Sequence, residues 1–431
     1  QGELRVEAPA ASAQVWTRIV AAGEQDAELF RFKVGADNED VDITRFVICH
    51  SIEAEEHGAT TALGKPLATF RNYKLWDGDV LLSGPQGWAH VYDESHAVDN
   101  FVDFNLGTAN AYRVRRGEER TLTVTARANN WPGMSSGSVH RLYIHPNPFP
   151  DGTPAITARG VGSSQDLSGP DQEIVGNPIV VRRSYPLVQR LDLRSTTLSG
   201  GATSQKTIAK WLVSAVGGMV GLKKLTFWSA WNDNTLSTEM EISNIKLYRN
   251  GSLLGRFEYI IYDGFGTEPE NILSSGGEGV LRPSNYGGLN TSYIKMVLVF
   301  GDPSTDELEG EELIDGGTMN IYELKADIVN AHVGASTDSD GVSVTLLGDD
   351  EEIHPTTGVL AWHGDGVVGV RMRFGLERNF NFVWSDRSSD TGDHSSSLLS
   401  DGGSDWANGR FIPTSDNHQS FLPLDSWALS K

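Results

Sequence analysis

Val41 to Ile48 reads VDITRFVI, and Val220 to Phe227 reads VGLKKLTF. In each stretch two apolar residues alternate with their neighbours: Val41 and Ile43, then Val220 and Leu222. Two polar residues follow side by side, Thr44-Arg45 and Lys223-Lys224, and the alternation resumes with Phe46 and Ile48, or Leu225 and Phe227. Alternation with period two marks a half-buried strand. A doubled polar pair inside it is the sequence mark of a β-bulge, because one extra residue shifts every later side chain to the other face.

Both octets belong to blocks that recur in the same order. Phe30 to Ile48, Phe70 to Leu82 and Gly117 to Ala128 match Ala209 to Phe227, Ile242 to Leu254 and Gly317 to Ile328 without gaps inside a block. The third block alternates in both copies: Leu122, Val124, Ala126 and Ala128 in the first, Tyr322, Leu324, Ala326 and Ile328 in the second. The middle block carries Asp77-Gly78 in one copy and Asn250-Gly251 in the other, dipeptides that favour the positive φ angles of a two-residue hairpin. Thr207 to Val220 has some helical periodicity, but Gly217, Gly218 and Gly221 argue for strand. The expectation is an all-β chain of two tandem Ig-like β-sandwiches, with a loop-rich C-terminal tail completing the second. The boundaries expected are an extended N-terminal segment at 1–12, a first sandwich at 13–180 and a second at 181–431.

Composition agrees. A length of 431 residues exceeds one core, and 39% hydrophobic content with 11 Trp, 16 Phe and 11 Tyr is ample for two. The net charge of −22 leaves no cationic surface to displace counterions from phosphate, which excludes nucleic acid as a partner class. Cys49 is the single cysteine, so neither an internal disulfide nor a cysteine-rich metal site can form. No apolar run approaches the ~18 residues of a membrane helix. The chain begins at Gln1, consistent with export through a cleaved signal peptide.

Three features resemble the tandem β-sandwich surface proteins of candidate-phyla (Patescibacteria-type) bacteria. They are the hairpin Lys246 to Gly251 with its counterpart Lys74 to Gly78, the strand Thr121 to Ala126 (TLTVTA), and the C-terminal end. That end holds Phe382 to Ser385 (FVWS), Asp405 to Gly409 (DWANG) and a closing SWALSK. The resemblance implies export, an S-layer-like or other extracellular location, and Ig-like sandwiches with no assigned enzymatic activity. It also implies that FVWS completes the second sandwich, with Ala155 to Arg159 (AITAR) as the equivalent strand of the first.

Motifs that would carry chemistry lack their context. Gly133 to Gly137 (GMSSG) matches a nucleophile elbow, yet an alternating strand, Val139 to Ile144, follows where a helix is needed. Gly364 to Gly369 (GDGVVG) matches a dinucleotide loop but leads into the strand-like Val370 to Phe374. The 11 histidines read as loop or surface residues, with His50 and His57, His90 and His96, and His140 and His145 the nearest pairs in sequence. Asp338-Ser339-Asp340-Gly341 has the alternating carboxylates of a calcium loop, and Asp349 falls at the twelfth position, where a bidentate Glu is normally required. Calcium held by Asp338, Asp340 and Asp349 is therefore the one cofactor expectation. Trp88, Trp131, Trp362 and Trp406 are candidates either for sugar stacking or for core anchors.

These features point to a non-enzymatic structural subunit whose partners are copies of itself, assembled into a surface layer or filament. Leu4 and Val6, alternating in Gly2 to Ala8, are the expected assembly strand added to a neighbour. The alternative is an adhesin that recognises a glycan or protein through loops of the second copy, Ile260 to Tyr293 above all. A carbohydrate-active enzyme is a third option, requiring two carboxylates across one cleft.

Overall fold

The computed structural model describes the whole chain except residues 1, 54–68, 91–99, 135, 150, 234–237, 264–268, 275–276, 287–293, 305–308, 333–338, 350–379, 389–404 and 417. The described residues form strands, turns and three single-turn 3-10 helices, in two compact units, Gln1–Arg183 and Ser184–Lys431. No helix among them is long and apolar enough to cross a membrane.

Unit 1 contains β1 (Glu3–Glu7), β2 (Arg18–Ala21), β3 (Ala27–Asp37), β4 (Val41–Glu53), β5 (Phe70–Asp77), β6 (Val80–Gln86), β7 (Trp88–His90), β8 (Asn100–Asn105), β9 (Tyr112–Val114), β10 (Glu119–Ala128), β11 (Val139–Ile144), β12 (Ile156–Gly160), β13 (Asp166–Gly169), β14 (Ile174–Val175) and β15 (Ile179–Arg182). One sheet runs β1-β3-β10-β5-β6, and the other β13-β12-β4-β11-β15-β2, with further strands on β4, β8 and β11. A single hydrophobic core joins their inner faces, with Phe32 of β3 against Phe46 of β4 at 6.0 Å between ring centres.

Unit 2 contains β16 (Tyr185–Arg190), β17 (Thr203–Val216), β18 (Val220–Asn232), β19 (Glu241–Arg249), β20 (Ser252–Leu253), β21 (Tyr259–Tyr262), β22 (Val280–Leu281), β23 (Ile294–Phe300), β24 (Glu312–Ile314), β25 (Met319–Val329), β26 (Gly341–Leu346), β27 (Phe382–Ser385), β28 (Trp406–Asn408) and β29 (Trp427–Ser430). Its sheets run β16-β17-β25-β19-β20 and β21-β23-β18-β26-β29. Trp211 on β17 takes the place of Phe32 and packs on Phe227 across the layers at 5.1 Å.

The duplication holds at the level of register. β4 is bordered on one edge by β12 then β11 and on the other by β9 then β8. β18 is bordered in the same way by β27 then β26, and by β24 then β23. Ile156 opposes Phe46 and Ala158 opposes Ile43, so Thr44 is skipped. Phe382 opposes Leu225 and Trp384 opposes Leu222, so Lys223 is skipped. The bulge expected from the doubled polar pair is present in both copies, and AITAR and FVWS are equivalent strands. Trp384 and Trp406 anchor the tail as buried neighbours on β27 and β28.

Two expectations need correction. The first hairpin turns on Gly78-Asp79, because Asp77 pairs with Val80; Gly78, at φ +54°, takes the left-handed position that Asn250 holds in the second copy. The N-terminal segment is part of unit 1 and no detached arm: Glu3 to Glu7 pair with Asp37 to Lys33, and Leu4 and Val6 pack on the core. β1 is the counterpart of β16, the first strand of unit 2, so the fold itself requires it. Deleting residues 1–9 is expected to lower unit 1 stability by about 2–3 kcal/mol, through lost apolar burial and an uncovered β3 edge. Urea unfolding measures this, and unchanged stability would mean that the segment is a dispensable arm.

Candidate functional site

The unshared positions of the two copies hold the polar chemistry. In unit 1, His50 of β4 and His140 of β11 lie on adjacent strands, each projecting into the core end, and their rings meet. His50 Nε2 and His140 Nδ1 are 2.9 Å apart. The Tyr73 hydroxyl lies 3.2 Å from His50 Nδ1, and Ser138 Oγ lies 2.7 Å from His140 Nε2. Tyr73, on β5, reaches from the opposite sheet, so the row Tyr73–His50–His140–Ser138 ties the two layers together. Every ring nitrogen has a partner when each imidazole carries one proton, and the N–H groups can point along the row in either direction. Burial pushes the His50 pKa down to about 4 and holds that of His140 well below the usual imidazole range, with His50 depressing it further. A serine beside a histidine is half of a nucleophile–base pair, but here all four groups are enclosed. Unit 2 has Ser229, Ile245 and Val342 at the matching places of His50, Tyr73 and His140.

In unit 2 the bulge itself is charged. Lys223 fits inside because the bulge turns it inward, and its Nζ donates to the Gly310 carbonyl. Burial lowers its pKa to about 7, opposed by Glu311 and Glu309. Glu311 is paired with Arg387, and Gly221 leaves the room that the Glu311 carboxylate fills. Lys224 is lowered to about 8 by burial, opposed by Asp349. Glu312 accepts from the single nitrogen Nη1 of Arg249 with both carboxylate oxygens, at 2.9 and 2.8 Å, and from the Tyr322 hydroxyl at 2.8 Å. These are joints between strands whose partners are other scaffold groups.

Of the calcium candidates, Asp338 lies outside the described residues. Asp340 precedes β26 and accepts the His332 backbone N–H at 2.8 Å. Asp349 follows the same strand and accepts N–H bonds from Asn381, Phe382 and Gly409 at 2.6, 3.2 and 2.6 Å. About 20 Å of extended chain separates them, so Asp340 and Asp349 do not share a cation site. The loop count failed because the intervening residues are a strand, and Asp349 instead ties the β27 and β28 segments to β26. Among the described residues no group of three His, Cys, Asp or Glu side chains is placed to hold a metal.

Trp88 and Trp131 pack against the unit 1 core and Trp406 is buried, while Trp362 lies outside the described residues. Among the described residues the exposed tryptophans are Trp16 and Trp228. The GMSSG loop is followed by β11, as expected of a plain loop, and the GDGVVG stretch lies outside the described residues. The described parts of the 260–293 insertion are tied down: Ile242 pairs with Leu281, and Asn271 donates to Asp263 at 2.8 Å. A surface groove of about 770 Å³ is lined by β4, β12 and β13, and its Asp42 is clamped bidentately by Arg113.

No protein-family model matches the chain, and no curated protein matches it in sequence. Among solved structures it is similar to the full-length major pilin RrgB of Streptococcus pneumoniae, with 8% identity and a TM-score of 0.19 over 74% of this chain and 44% of the pilin. A putative membrane anchored protein of Corynebacterium diphtheriae has 10% identity and a TM-score of 0.15, over 79% and 86% of the two chains. A lectin of Pleurotus ostreatus has 11% identity and a TM-score of 0.12, over 77% of each. The chain thus spans less than half the pilin's length. At such values none of the three fixes what this chain does.

The sequence did not reveal the histidine row, because its members lie 90 and 23 residues apart and meet only through strand pairing. A signal existed for each site: His50 follows the apolar run Phe46 to Cys49, and Lys223 belongs to the doubled polar pair inside an alternating strand.

Proposed function

We propose that this chain is a non-enzymatic structural subunit of an extracellular assembly, a surface layer or filament built by self-association. The observation that carries this reading is the free edge of the unit 1 sheet. β6 pairs only with β5 among the described residues. Its first residues, Val80 to Leu82, form the apolar stretch of that edge and expose Val80 at 62% and Leu81 at 44%, before the bulge and Gly84-Pro85 that close the strand. The equivalent β20 of unit 2 is two residues long. Natural sheets blunt long apolar edges unless another strand is to pair there. A contact between such an edge and a different surface of the next copy propagates without closing. The buried polar groups support the same reading, since strand joints account for them.

Val80→Lys with Leu81→Lys is the test. Both side chains are exposed, so folding stability is expected to stay within about 0.5 kcal/mol of wild type. Assemblies seen by negative-stain microscopy are expected to disappear in the variant; wild-type-like assemblies in the variant would overturn the edge as the contact.

A further inference from the structure

The duplication allows the outer face of one sheet to be compared with that of its copy, residue by residue. In unit 1 three cations on the β3–β10–β5 face have a carboxylate each, Arg31 with Glu28, Lys33 with Glu119, and Lys74 with Asp26 at 2.7 Å, while Arg71 lies across from Arg127 at the end of the ladder. The β17–β25–β19 face of unit 2 keeps Arg31 and Lys74 as Lys210 and Lys246, has Leu212 for Lys33, and loses all three of those carboxylates, while Glu323 and Asp327 stand where unit 1 has Thr123 and Arg127. Gln205 stands where Asp26 stood, both in the left-handed region at φ +51° and +49°. Thr207 replaces Glu28, each facing the matching residue of the next strand, Lys325 or Thr125. Lys206 replaces Ala27, and Lys325 itself replaces Thr125. Lys246, the counterpart of Lys74, lies directly across from Lys325. Like charges facing each other across a ladder are unfavourable unless something compensates them.

Compensation within the chain is incomplete. Lys210 and Lys325 share Glu323, at 3.1 and 3.3 Å. Lys206 binds only neutral oxygens, Ser195 Oγ and the Thr197 carbonyl. Asp327 is taken by Asn244, Gln205 and Ser204, which hold its pKa at about 2 despite burial. Among the described residues no carboxylate lies within ion-pair distance of Arg194 or Lys246. Arg194, Lys206, Lys210 and Lys325 line a groove of about 450 Å³ beside this face.

We propose that this cationic face is a docking surface for the carboxylate-rich exterior of a second copy of the chain. The inference rests on the self-association reading and names one of its contacts. With a net charge of −22, two copies repel through most orientations, and this face offers the complementary patch. Screening confines the attraction to about 8 Å at physiological salt, so the contact must be close and salt-sensitive.

The test replaces the face with its own counterpart. Lys206→Ala, Thr207→Glu and Lys325→Thr install the residues that unit 1 carries at the equivalent places, so the fold is expected to accept them. Arg71→Ala, Arg116→Ala and Arg120→Ala make the same change in net charge on unit 1 and serve as the control. Sedimentation velocity of the full chain between about 25 and 500 mM NaCl is expected to show salt-dissociable association of wild type and control, weakened at least roughly tenfold in the face variant. Equal association of wild type and face variant overturns the docking surface and leaves self-assembly standing. A wild type that is monomeric at every salt concentration overturns both. If the wild type stays monomeric and binds alginate while the face variant does not, the occupant is an acidic polysaccharide, which also overturns the proposal.

Discussion

Replacing Trp427 by alanine is expected to lower the stability of unit 2 by about 3–5 kcal/mol, the usual cost of emptying a tryptophan-sized site in a core. Trp427 is fully buried, and its strand β29 closes the second sheet by pairing with β26. Its Nε1 donates to the Leu191 carbonyl at 2.8 Å, and the Arg190 guanidinium lies 5.7 Å from the ring centre. The substitution removes packing, a hydrogen bond and the anchor of an edge strand together. Trp427→Phe keeps most of the packing and is expected to cost about 1–2 kcal/mol. Differential scanning calorimetry reads the result directly: the transition of unit 2 moves down and that of unit 1 stays. An unshifted unit 2 would mean that the tail is not integral to the second sandwich.

Acid is expected to unfold unit 1 well before carboxylate titration accounts for it. His50 titrates near 6.5 in the unfolded chain and at about 4 in the folded one, and His140 is shifted in the same direction. The unfolded chain therefore binds protons first as pH falls. The stability linked to the neutral rings is complete above pH 6.5 and is lost progressively below it, by about 2 kcal/mol for His50 alone at pH 5. Tyr73, Ser138 and Phe70 face the rings and offer no negative charge to hold an imidazolium. Urea midpoints of unit 1 between pH 7.5 and 5 measure the loss. The variant His50→Gln, His140→Gln is expected to start lower and vary much less with pH. A wild type as flat as that variant would remove the histidines from the account.

What the sequence disclosed and what it hid follow one physical line. Patterns local to a strand were legible: the bulge at Thr44 and Lys223 and the alternation of β10 and β25, each fixed by side-chain period and burial over a few residues. The equivalence of AITAR with FVWS was implied by the family resemblance. The hairpin was displaced by one residue because Asp77-Gly78 and Gly78-Asp79 are both acceptable turn dipeptides, and pairing partners decide between them. The roles of His50, His140 and Asp349 depended on which strands become neighbours. Asp349, nine residues beyond Asp340 in sequence, fits a loop ligand by spacing, but β26 runs between them. An alternating N-terminal segment fits a donated strand and an edge strand equally well, and here β1 pairs with β3 of its own unit.

The joint between Leu191 and Trp427 spans 236 residues. During synthesis at about 5–20 residues per second, roughly ten to fifty seconds pass between the emergence of its two halves. For most of that interval β18 lacks β27, and throughout it β26 lacks β29, so the apolar edges of both strands stay unpaired. Unit 1 is complete at Arg182 and can fold while its sibling is still being made. The later unit is therefore the one exposed to premature pairing, and a cell producing this protein has most reason to shield nascent residues from about 203 to 430.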